Sequence, residues 1–152
     1  MLWQALERAR PSTTSAGPRL LVLGEDLGRA VARRAPPGTE LAIESRGGNG
    51  DGARVEGVGG AAGRMAEPDA VLGTITRADG LAALVAGWSR RARDGGLVAL
   101  ASPAAALLSR PVSAEALTQA FVHGGLVDIE QRVAGRIRVT LGRVRRPALL
   151  LK

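Results

Sequence analysis

Three short apolar runs constrain this chain more than any other feature. Leu20-Leu21-Val22-Leu23, Ala70-Val71-Leu72 and Leu97-Val98-Ala99-Leu100 contain no polar residue. A strand with one wet face alternates polar and apolar residues. A strand without that alternation is buried on both faces, as in a parallel sheet covered by helices. None of these runs approaches the roughly 20 apolar residues that span a bilayer. The chain has 152 residues, enough for one real core.

The segments between the runs supply the covering. Residues 2–10 form a short helix with Leu2, Trp3 and Leu6 on one face, too short to stand without docking. Residues 11–18 read as a linker. After Leu23 and Gly24 comes a helix with Asp26 as N-cap and Leu27, Ala30 and Val31 inward. Pro36-Pro37-Gly38 stops it, and Leu41-Ala42-Ile43 is a second strand ending at Glu44. This is a βαβ unit with the usual right-handed crossover. Residues 45–64 interrupt the order with eight glycines and no amphipathic helix, and Arg54–Val58 is a weak strand inside them. Asp79 is placed to cap a helix carrying Leu81, Leu84, Val85 and Trp88 inward, with Gly95-Gly96 ending it. Ser113 caps a last helix with Leu117, Ala120 and Phe121 inward. Residues 126–130 and 136–141 then pair as an antiparallel hairpin, the second strand with one polar, basic face.

Composition removes several chemistries. There is no cysteine, so thiolate metal sites, disulfides and cysteine nucleophiles are excluded. One histidine, His123, excludes a histidine-built metal cage, and its place near a helix end suits the helix dipole. No metal site is expected. The formal charge is +7, concentrated in residues 124–152, which hold six arginines and Lys152 against Asp128 and Glu130. Such an end attracts nucleic acid, anionic lipid or acidic protein when it is not simply a solvated surface. Arginine almost to the exclusion of lysine is the usage of a GC-rich bacterial genome. The N-terminus lacks the cationic start and apolar stretch of a secretory signal, so the expected location is cytoplasmic.

The element order, with Pro68-Asp69-Ala70-Val71-Leu72, the stretch Gly87–Leu100 and the stretch Ser113–Ile129, resembles the class I S-adenosylmethionine-dependent methyltransferase family in a degenerate, shortened form. The resemblance covers about residues 19–146, preceded by an N-terminal helix and linker (1–18) and followed by a tail (147–152). It implies an α/β, Rossmann-like three-layer sandwich. Its sheet would be mostly parallel, with a C-terminal antiparallel β-hairpin.

The resemblance also implies where S-adenosylmethionine would sit. The glycine-rich turn after the first strand matches Gly24-Glu25-Asp26-Leu27-Gly28: Gly24 and Gly28 are kept, and Asp26 replaces the middle glycine. Glu44 matches the acid that holds the ribose hydroxyls. The acid expected after the third strand, near the adenine, is missing from Val58-Gly59-Gly60-Ala61. After the fourth strand, Gly73-Thr74-Ile75-Thr76-Arg77 lacks the Asn-Pro-Pro-Tyr type motif, and no catalytic residue is assigned. Gly24-x-x-x-Gly28 is not the dinucleotide fingerprint either.

Three functions compete. The first is a non-catalytic methyltransferase-like domain that takes no cofactor and acts as an assembly module. It would form a homo-oligomer or join a larger complex, with Trp3 and Leu6 as interface candidates. The second is a small S-adenosylmethionine-dependent methyltransferase using Gly24, Gly28 and Glu44. The third is a nucleic-acid-binding module using Arg136, Arg138, Arg143, Arg145 and Arg146. With three aromatic residues in the chain and none beside that cluster, base stacking is disfavoured.

Overall fold

In a computed structural model, residues 2–9, 17–45, 54–58, 67–75, 80–104 and 112–147 are described. Seven strands form one sheet: β1 (Arg19–Leu23), β2 (Glu40–Ser45), β3 (Arg54–Val58), β4 (Ala70–Thr74), β5 (Leu97–Pro103), β6 (Leu126–Ala134) and β7 (Ile137–Val144). Four helices accompany them: α1 (Leu2–Ala9), α2 (Glu25–Ala32), α3 (Leu81–Arg91) and α4 (Ala114–His123). The spatial order is β3-β2-β1-β4-β5-β7-β6. Strands β2, β1, β4 and β5 run parallel. Strand β7 enters antiparallel between β5 and β6. This is the three-layer, Rossmann-like architecture anticipated above.

The apolar runs are buried on both faces because each face has its own core. Leu21, Val71, Val98 and Leu100 face α3 and α4, against Val85, Trp88, Leu117 and Phe121. Leu20, Val22, Leu72 and Ala99 face α1 and α2, against Leu6 and Val31. Each fully buried leucine or valine contributes about 1.5–3 kcal/mol relative to exposure. Asp69 joins the strand starts: its carboxylate accepts from the Arg19 amide at 2.8 Å and from Arg93 Nε at 2.6 Å. Ser113 caps α4 as the sequence predicts, its hydroxyl accepting from the Ala116 amide at 3.1 Å.

Several expectations are corrected. Strand β3 pairs antiparallel with β2, so the sheet holds a reversed strand at this edge as well as at β7. Residues 46–53 separate the two strands, and a parallel crossover needs a dozen or more residues, so only the reversed pairing is reachable. Gly24, not Asp26, is the N-cap of α2; Asp26 lies in its first turn, and Ala30 is exposed. The residue capping α3 is Gly80, and Asp79 lies outside the described residues. The face of β7 read as polar is covered: Thr140 is fully buried because β6 takes the sheet edge and α4 lies over both strands.

Candidate functional site

The carboxyl ends of parallel strands are where open α/β sheets place ligands. Here β1 ends at Leu23 and Gly24, β2 at Glu44 and Ser45, and β4 at Thr74, which is exposed. Gly24 has φ +124°, a backbone that side-chain-bearing residues rarely adopt, and a Cβ built on it would meet open space. Its amide donates to the Glu44 carbonyl at 2.9 Å, so the turn after β1 is fastened to the end of β2. The structure thus brings Gly24 and Glu44 together.

Gly28 has a different reason to be glycine. A Cβ there would stand 2.6–2.8 Å from the Ile43 side chain, so its small size lets α2 lie against β2. It is buried in that contact. The Glu44 carboxylate accepts from Arg91 at 2.6 Å, an ion pair that sequence reasoning missed because the partners are 47 residues apart. Glu25 and Asp26 occupy the first turn of α2, where negative charge favours the helix dipole, and Glu25 pairs with Arg29 one turn on. The amino end of α2 is already supplied with anions.

The reversal of β3 also sets where that strand ends. Val58, its last residue, pairs with Leu41 near the start of β2, whereas Arg54 pairs with Ser45. Val58 therefore lies at the end of the sheet away from Gly24 and Glu44, where the parallel strands begin. Residues 59–61, 76 and 77 lie outside the described residues.

The arginines read together in sequence are dispersed. Arg138 donates to the Val112 carbonyl at 3.1 Å, and Arg143 pairs with Asp128. Arg146 reaches Glu67 at 3.3 Å and the Arg90 and Ala92 carbonyls at 3.2 and 2.9 Å. Arg136 sits in the β6–β7 turn and Arg145 just past the other end of β7, both exposed. Leu6 is buried in the chain's own core, and Trp3 is half-buried beside it. His123 is exposed in the last turn of α4. Among the described residues no group of three or more His, Asp or Glu side chains converges as a metal site, and no helix is long and apolar enough to cross a membrane.

No protein-family model matches the sequence, and no curated protein does. Solved structures do match. An O-methyltransferase family 2 protein from Planctomyces limnophilus, solved in complex with apigenin, superposes with a TM-score of 0.60 at 12% identity over 90% of this chain and 52% of its own. The S-adenosylmethionine-dependent methyltransferase SibL gives 0.58 at 15% over 95% of this chain and 55% of its own. Human N-acetylserotonin methyltransferase, solved with SAM, gives 0.56 at 13% over 94% and 51%. The chain thus spans about half the length of these proteins. It carries the fold of the class I S-adenosylmethionine-dependent methyltransferases.

Proposed function

We propose that this chain is a non-catalytic methyltransferase-like domain, acting as an assembly module that pairs with a second copy of itself. The reversal of β3 is the observation that carries the non-catalytic half. The strand ends level with Leu41, at the end of the sheet away from Gly24 and Glu44, whereas a segment approaching the adenine would have to follow a strand ending beside them. The Glu44–Arg91 pair and the acids at the start of α2 act in the same sense. A cofactor's ribose would have to displace a guanidinium, and the carboxylate of its methionine moiety would meet Glu25 and Asp26.

The assembly half rests on β6. It is a nine-residue edge strand, and unpaired strand edges recruit other strands. Val122, Val133 and Ile137, the exposed large apolar residues among those described, all lie on α4 or the β6–β7 hairpin. Light scattering across a concentration series is expected to give a dimer that Val133→Lys with Ile137→Lys converts to monomer. A monomeric mass at all concentrations would remove the assembly half.

Gly24 favours a second reading, an S-adenosylmethionine-dependent methyltransferase. It keeps the open, positive-φ turn that close backbone approach to a cofactor requires. Under that reading Gly24 and Glu44 would hold the cofactor, which would supply the methyl group, after Arg91 had released the carboxylate.

A further inference from the structure

We propose that the groove between α1 and α2 binds a small amphipathic anion: an acyl or aryl body carrying one carboxylate, taken as a free molecule. The groove arises from a mismatch in coverage. Strands lie about 4.8 Å apart and packed helices 8–10 Å, so two eight-residue helices cannot cover this face of a seven-stranded sheet. Helix α2 lies over β1 and β2 and α1 over β5, and the gap between them opens onto β4 and β5.

The gap is a cleft of about 550 Å³, within the range of small-molecule sites. Leu72, Ala99, Ala101 and Val139 form its floor. Trp3 and Leu27 contribute walls, giving an apolar body a flat indole to stack on. Arg33 and Arg34 at the end of α2 are the charged residues on its lining, and no acid lines it among the described residues. Neither arginine has an ion-pair partner among the described residues. The cleft beside β6 and β7 differs, because there Arg8 and Arg143 face Asp128 and Glu130. An apolar trough with two guanidinium groups that have no ion-pair partner among the described residues selects an anionic head on an apolar body. This inference is independent of the cofactor question, since Gly24 and Glu44 do not line the cleft.

Calorimetric titration with decanoate below its micelle-forming concentration tests it, with decylammonium as the charge-reversed probe. Decanoate is expected to bind one-to-one, and decylammonium at least about tenfold more weakly. Arg33→Gln with Arg34→Gln, both on the surface, should weaken decanoate about tenfold. Ala30→Phe fills the cleft from an exposed helix position and should abolish binding of both probes. Absence of one-to-one decanoate binding overturns the proposal. So does equal affinity for the two probes, or unchanged decanoate affinity in the double arginine variant.

Discussion

Gly28 and Asp69 show how far a side chain's role depends on its neighbours in space. Gly28 reads in sequence as part of a cofactor turn, yet Ile43 is what excludes a side chain from it. Gly28→Ala should lower stability by about 1–3 kcal/mol, the cost of overpacking a buried contact, read as a fall in the urea midpoint. Asp69 is legible only as a residue preceding a strand. In space it ties β1 to the loop before β5 through Arg93, with its side chain 16% exposed. Asp69→Asn should cost about 2 kcal/mol, because a charge-assisted bond becomes a neutral one in a half-buried place. Thr140 gives the opposite sign. Its hydroxyl is fully buried with no hydrogen-bond partner among the described residues, so Thr140→Val, which keeps the shape, should raise the melting temperature, by about 1 kcal/mol of stability.

The strands and helices were largely legible, because unbroken apolar runs and 3.6-residue periodicity report burial directly. Leu20–Leu23, Ala70–Leu72 and Leu97–Leu100 lie in β1, β4 and β5, and Leu81, Val85 and Trp88 turn inward on α3. Periodicity did not show strand direction at β3, where five residues read the same either way. Connection length does decide it, since residues 46–53 reach an antiparallel neighbour and not a parallel one. Alternation in β7 separated its two faces but could not show that α4 covers the one bearing Thr140. The direction of β3 is open to measurement: inter-strand backbone NOEs should link Leu41 with Val58 and Ser45 with Arg54. NOEs linking Ser45 with Val58 would indicate a parallel ladder and undo the argument built on it. Asp128 marks a further irregularity. It adopts φ +52° where β6 slips register between Val127 and Glu130, a bulge that brings its carboxylate onto Arg143. Nothing local in Val127-Asp128-Ile129 announces it.

The whole sheet, in the order β3-β2-β1-β4-β5-β7-β6, superposes on methyltransferases at 12–15% identity over about half their length, which establishes the fold and leaves function to the site. At that site one feature favours a cofactor, the open turn at Gly24. Three oppose it: the Arg91 partner of Glu44, the acids at the start of α2, and the end of β3 level with the start of β2. A cofactor carboxylate placed there would meet the negative charge of Asp26, with Glu25 already paired to Arg29. The most direct measurement is a calorimetric titration of the chain with S-adenosylmethionine and S-adenosylhomocysteine. The non-catalytic reading predicts no binding of either up to millimolar concentration. Saturable micromolar binding that Glu44→Ala abolishes would contradict it and establish the cofactor site at the ends of β1 and β2.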